Sequence, residues 1–262
     1  MVTKKKGVLI AATLVAVILI TLLGARPAYL LYRDVSFYWE DRTEWEHEIK
    51  AYAEEMGISY GEYPQSLIDL YGRNPETKAF VLGYPFREER EVDLSGYENQ
   101  EAVPLFLQWD PMWGYEKYGN DCIAITGCGP TCLAMVGYWL TGDENMTPNQ
   151  IAQFAQRNGY YASGYGSSWT LISEGAGKLG LSATELPLVE KKMVQALEKG
   201  QPVILAMGEG DFTSSGHYIV LTGVTEEGFR VNDPNSVLNS QKIWTYEELE
   251  KQIRNIWAME TA

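Results

Sequence analysis

The chain opens on a hydrophobic block and closes on short apolar runs, with charged, helically patterned sequence between them. Gly7 to Ala25 carries no charged residue. At about 1.5 Å per residue, a helix of that length spans the ~30 Å hydrocarbon core of a bilayer. Beyond it, Trp39, Trp45, Ile49, Tyr52 and Met56 recur at roughly helical spacing among Glu, Lys and Arg, and Gly57 supplies a stop. Leu67, Leu70 and Tyr71, after Pro64 and Ser66, mark a second short helix. Pro75-Glu76-Thr77 opens a third that runs to Leu82, where Gly83-Tyr84-Pro85 breaks it. Residues 86–100 are charged and read as a linker.

The main domain begins near Val103. Gly129-Pro130 opens an apolar segment that continues to Leu140, with Pro130 suited to a first helical turn. Thr147-Pro148-Asn149-Gln150 has the form of a capping box, starting a helix that ends near Gly159. Further helices are expected over Trp169 to Leu179, ended by Gly180, and over Val189 to Lys199, ended by Gly200. The pattern then changes to short, branched, apolar strands: Pro202 to Ala206, His217 to Thr222, and Phe229 to Asn232, the last two joined by the turn Glu226-Glu227-Gly228. Helices first and an antiparallel sheet afterwards is an α+β order.

Charge adds orientation. The net charge is −14, yet the first 33 residues hold Lys4, Lys5, Lys6, Arg26 and Arg33 and no acid. So acidic a body offers no basic face for phosphates and excludes a nucleic-acid partner. The basic tip stays in the cytoplasm, so a spanning helix places the remainder outside. A signal peptide cleaved near Leu23-Gly24-Ala25, giving a secreted protein, is the rival reading, but the apolar run is long for a signal core. No Cys stands near its end to take a lipid. The expected organisation is residues 1–33 as basic tip and membrane anchor, 34–100 as helical juxtamembrane region and linker, and 101–262 as the main domain. Nothing in the sequence sets an oligomeric state.

Three cysteines, Cys122, Cys128 and Cys132, are too few for a disulfide scaffold. Cys128 lies in Gly127-Cys128-Gly129-Pro130-Thr131, where a helix begins. The positive end of a helix dipole favours a thiolate, the nucleophilic form, and the flanking glycines permit close approach of a substrate backbone. Cys132 falls one helical turn later in an apolar run and reads as core. Such a thiol needs a base. Of the two histidines, His47 sits among glutamates in the charged helical region and reads as solvated. His217 opens a strand after Ser214-Ser215-Gly216. The hairpin brings Asn232-Asp233-Pro234 back toward His217, so Asp233 is placed to orient the imidazole, with Asn232 as the fallback. A Cys₃His zinc site is disfavoured because the cysteine spacings match no paired knuckle. Gly208-Glu209-Gly210 lacks the Lys-Ser or Lys-Thr of a phosphate loop.

These segments resemble the papain-like cysteine peptidases of family thirty-nine, best known for the double-glycine leader peptidases of bacteriocin exporters. Within that family the chain looks most like the stand-alone branch often found as exported or anchored proteins of Gram-positive bacteria. The resemblance rests on Val103 to Asp110, on Gly127-Cys128-Gly129-Pro130-Thr131 followed 89 residues later by His217 in Gly216 to Leu221, and on Asn232-Asp233-Pro234. The stretch from Tyr63-Pro64 through Asn74-Pro75-Glu76-Thr77 to Tyr84-Pro85 also looks like the leader region of that branch. The resemblance implies a papain-like fold, with a helical lobe packed on an antiparallel sheet. It also implies Cys128 as nucleophile, His217 as general base, Asp233 as orienting acid and Gln108 as side-chain donor of the oxyanion hole. It calls for no metal and no cofactor. The implied substrate is a peptide or protein; a transpeptidase or amidase acting on wall peptides, and a catalytically silent surface module, are the alternatives. No transporter domain accompanies the segment, so cleavage of an exporter leader is not implied.

Overall fold

The computed structural model describes residues 44–98 and 101–262. The expected anchor, Gly7 to Ala25, lies outside these. Among the described residues no helix is long and apolar enough to cross a membrane. Contacts divide the chain between Glu62 and Tyr63. In the first unit, residues 44–56 form a helix, on which His47 is exposed.

The second unit begins with helices α1 (Gln65–Arg73) and α2 (Lys78–Gly83), joined by the 3-10 turn Pro75–Thr77. Between them, the Asn74 side chain accepts from Glu76 N–H and caps the turn. This helical pair is fastened to the body. Tyr115 stacks on Phe80 at 4.1 Å, and its hydroxyl donates to the Phe80 carbonyl at 2.7 Å. Ser66 meets Asp121 at 3.2 Å. The charged stretch expected as a linker also packs: Leu94 is buried in the main core, and Tyr97 sits edge-on to Phe106.

The short strands β1 (Lys117–Tyr118) and β2 (Asp121–Cys122) lead through α3 (Ile123–Thr126) into α4 (Cys128–Thr141). Helix α4 is buried on almost every side from Gly129 to Gly137, as its all-round apolar sequence requires. Gly142, in the left-handed region at φ 66°, ends it. Helix α5 (Pro148–Arg157) starts after Thr147 as expected, but the capping box does not form. The Thr147 hydroxyl donates to Asn149 Oδ1 at 2.6 Å, and Asn149 passes the bond on to Glu116. A buried side-chain partner has outcompeted the backbone cap. After the hairpin β3 (Tyr161–Ala162) and β4 (Gly166–Ser167), the helix expected to Leu179 appears as a π-helical turn, Leu171–Gly175, and a 3-10 turn, Ala176–Leu179.

The remaining strands are β5 (Leu181–Glu185), β6 (Val203–Met207), β7 (His217–Thr225), β8 (Gly228–Asn232), β9 (Ile243–Trp244) and β10 (Ile253–Thr261). They form one antiparallel sheet of order β5-β10-β6-β7-β8-β9. Helix α6 (Glu190–Glu198) precedes β6, α7 (Val237–Gln241) follows β8, and α8 (Tyr246–Glu250) precedes β10. Both faces of the sheet are covered, which explains why Val203 to Met207 is apolar at every position. Ile204, Ala206, Tyr218 and Val220 face α4; Val203, Leu205, Ile219 and Leu221 face Met193 and Ala196 of α6. Truncating a fully buried α4 residue such as Leu133 to Ala would cost about 2–5 kcal/mol. The α+β architecture is as expected.

Candidate active site

Cys128 is the first residue of α4, a helix of 14 residues. The first N–H groups of such a helix lack intrahelical acceptors and carry the positive end of its dipole. The two glycines around the thiol do other work than expected. Both are buried. A Cβ at Gly129 would lie 2.9 Å from Ser167 Cβ and Oγ, and one at Gly127 would lie 2.5 Å from the Ile123 carbonyl. They let the protein's own chain close around the helix start, rather than admitting a substrate.

His217 opens β7 and is buried, as is Asp233 just past β8. The imidazole Nε2 meets Asp233 Oδ1 at 2.7 Å. The same Oδ1 accepts from Asn235 N–H at 2.8 Å, and Oδ2 accepts from Asn239 Nδ2 at 2.7 Å. A register shift makes the His–Asp pair reachable. The turn pairs Thr225 with Gly228, and continuing that register would set residue 233 opposite Val220, on the other side of the sheet from His217. Between Leu221 and Gly223 the ladder shifts, and Val220 pairs with Asn232 instead. A one-residue slip exchanges the faces of a strand. The bulge at Thr222 therefore puts Asp233 on the side that His217 occupies. It puts Asn232 on the other, where its amide donates to the Val103 and Pro104 carbonyls at 2.9 and 3.0 Å.

With Nε2 committed to Asp233, Nδ1 is the ring nitrogen left for the thiol, and His217 and Cys128 line the same cleft. Burial alone pushes the imidazole's pKa down. The negative charge of Asp233 and its hydrogen bond, together with Cys128, outweigh burial and hold it up at about 10. Burial pushes the Cys122 thiol up to about 12 and that of Cys132 well above its usual value. Both are buried, whereas Cys128 is partly exposed. Among the described residues no cluster of His, Cys, Asp or Glu is arranged to hold a metal.

Gln108 is buried, with its backbone N–H on the Pro234 carbonyl at 2.7 Å and its side-chain Nε2 on the Ala124 carbonyl at 2.6 Å. A carbonyl demands a donor, so Nε2 must face Ala124. That uses one of its two hydrogens. Gln108, Cys128 and His217 line one open cleft of about 650 Å³, whose walls include Arg73, Tyr165 and Asn235. All four expected site residues are thus brought together, three on the cleft and Asp233 behind His217. Asn235, whose buried Oδ1 has no partner, and Arg73 also line the cleft, and sequence reasoning had singled out neither. Asn74-Pro75-Glu76-Thr77 reads in the sequence as a helix start and as part of the leader-like stretch, and neither reading points to a cleft.

Residues 100–261 match the Peptidase C39-like family. No curated protein matches the chain. Among solved structures, the peptidase domain of Streptococcus ComA, a bifunctional ABC transporter involved in a quorum-sensing pathway, is 18% identical. The alignment covers 52% of this chain and 93% of that one, with a TM-score of 0.41. A putative C39-like peptidase from Bacillus anthracis is 15% identical over 61% of this chain and 98% of that one, with a TM-score of 0.36.

Proposed function

The chain belongs to the Peptidase C39-like family and is a cysteine peptidase; on that premise we propose that it hydrolyses peptide bonds through Cys128, His217, Asp233 and Gln108. The observation that carries this reading is the imidazole of His217, bonded to Asp233 at 2.7 Å and lining the same cleft as the Cys128 thiol. In this mechanism the Cys128 proton moves to Nδ1, and Asp233 stabilises the imidazolium that results. The thiolate adds to the peptide carbonyl. The oxyanion is met by the Cys128 N–H and the second Nε2 hydrogen of Gln108, a kind of contact worth about 3–4 kcal/mol per donor. The imidazolium then protonates the leaving amine, and the carbonyl stays on sulfur as a thioester. Water, deprotonated by His217, releases the acid and restores the thiol.

The location follows from the sequence. Lys4-Lys5-Lys6 before the uncharged run Gly7 to Ala25 favours a single-pass anchor with the peptidase outside the cytoplasm. There it would meet peptide or protein substrates at the cell surface.

Alkylation of the full-length chain with iodoacetamide, located by peptide mass mapping, tests the assignment. Cys128 should react far faster than Cys122 and Cys132 at neutral pH and lose that advantage in His217→Ala. Equal, slow labelling of all three would remove Cys128 from the nucleophile's role.

A further inference from the structure

The family match begins at residue 100, yet the preceding helical pair is built into the loop behind His217. Glu76, half-buried in the turn between α1 and α2, presents its carboxylate to the start of α7. Its Oε1 accepts from the Ser236 hydroxyl, and its Oε2 from the N–H groups of Val237 at 2.8 Å and Leu238 at 3.3 Å. The Ser236 hydroxyl is thereby aimed. With its proton on Glu76, a lone pair is free to accept Asn239 N–H at 3.1 Å and cap the helix. Asn239 in turn holds Asp233 Oδ2. Asn74 reinforces the clamp: its Oδ1 accepts from Glu76 N–H, and its Nδ2 donates to the Asn235 carbonyl, which also receives Trp109 Nε1 at 2.9 Å. Glu76 thus holds Ser236, Ser236 holds the Asn239 backbone, the Asn239 side chain holds Asp233, and Asp233 holds His217.

We propose that Glu76, supported by Asn74, is a positioning residue of the catalytic site, and that the helical segment ahead of the family domain is a working part of the peptidase. It rests on the assignment of Cys128, His217 and Asp233 above. Asp233 can favour a charged imidazole only while its carboxylate stays on Nε2. Its backbone is held by Ser240 and Ser236 and its Oδ1 also by Asn235 N–H, but among the described residues Asn239 is the one donor on Oδ2. Release of Glu76 removes the outer anchor of Ser236 and loosens Asn239, and with it the bond that fixes Asp233 Oδ2 and the angle of the carboxylate on His217. Three donors at one carboxylate exceed what a solvated surface Glu gains, and a charge-assisted bond is worth more than a neutral one.

The test is the pH profile of Cys128 alkylation by iodoacetamide in the full-length chain, measured well below the melting temperature. The titratable groups facing His217 are Cys128 and Asp233. In Glu76→Ala the rate at neutral pH should fall about tenfold, the effect of losing one charge-assisted hydrogen bond to the ion pair. The alkaline limb, where the imidazolium titrates, should move to lower pH. Glu76→Gln keeps one acceptor and should fall between. Asn74→Ala, which leaves the Glu76 carboxylate in place, should give a smaller shift in the same direction and serves if Glu76→Ala does not fold. A lower melting temperature with an unchanged pH profile in these variants would show a structural role alone and overturn the proposal. Asp233→Asn, run in parallel, separates the two readings. If it too leaves the profile unchanged, the underlying triad is wrong; if it shifts the profile and the Glu76 variants do not, only this inference fails.

Discussion

Replacing Asp233 with Asn keeps the shape of a buried side chain and removes its charge. In the wild type the carboxylate accepts from His217 Nε2 at 2.7 Å, from Asn235 N–H and from Asn239 Nδ2. An amide has one oxygen and one nitrogen to meet these three donors, so it must turn its NH₂ toward either Asn239 or His217. The Coulomb attraction between unit charges at the 2.7 Å separation is about 6 kcal/mol at an effective dielectric constant near 20, which is a ceiling. The net worth of a hydrogen bond to a charged group is about 1.5–3 kcal/mol. Taking the net figure, the imidazolium–thiolate pair should lose a factor of about 10 to 150 in population. Alkylation of Cys128 by iodoacetamide at neutral pH reads that population without a substrate. The rate should therefore fall within that range in Asp233→Asn, while circular dichroism shows the fold intact. A change of less than about threefold, below 1 kcal/mol, would refute the role given to Asp233.

Further outcomes follow from the same geometry. Gln108→Ala should lower the turnover of peptide cleavage by about 10²–10³, the effect of losing one oxyanion donor, while leaving the alkylation rate of Cys128 unchanged. Equal losses in both assays would place Gln108 elsewhere in the mechanism. His217 is held at about 10, above its unfolded value, so its stabilisation is fully present below about pH 6.5 and is lost as pH rises through about 10. The stability gap between wild type and His217→Gln in urea unfolding should accordingly shrink over that window; a gap that grows with pH would contradict the sign. Gly129→Ala pushes a methyl group to 2.9 Å from Ser167 and should cost about 1–3 kcal/mol of stability, visible as a lower melting temperature.

Much of this site is legible in the amino-acid sequence. A cysteine at a helix start, a histidine at a strand start and a hairpin between His217 and Asp233 are local signals, and local chemistry sets all three. The choice of Asp233 over Asn232 is not legible there, because it depends on a one-residue bulge that no turn residue announces. Strand β10 carries no strong sequence signal, although it is paired on both sides, between β5 and β6. Its Ala258-Met259-Glu260 end shows no alternation or branched run, and its place is set by burial of its Trp257 and Ile256 side chains in the two cores rather than by propensity. The capping box at Thr147 rests on a pattern, but Asn149 and Glu116 supply a buried network that the pattern does not contain. Glu76 is hidden for a similar reason. Its partners stand about 160 residues away in the chain, and periodicity reports only on near neighbours.

Peptide-bond hydrolysis by Cys128 is tested most directly by incubating the full-length chain and its Cys128→Ala variant with a proteome-derived peptide mixture in heavy-oxygen water, then reading the products by mass spectrometry. The wild type should generate new carboxyl termini carrying the heavy isotope, and Cys128→Ala should generate none. Labelled termini that persist in Cys128→Ala would contradict the nucleophile, and unlabelled, newly joined peptides from the wild type would contradict hydrolysis in favour of transfer.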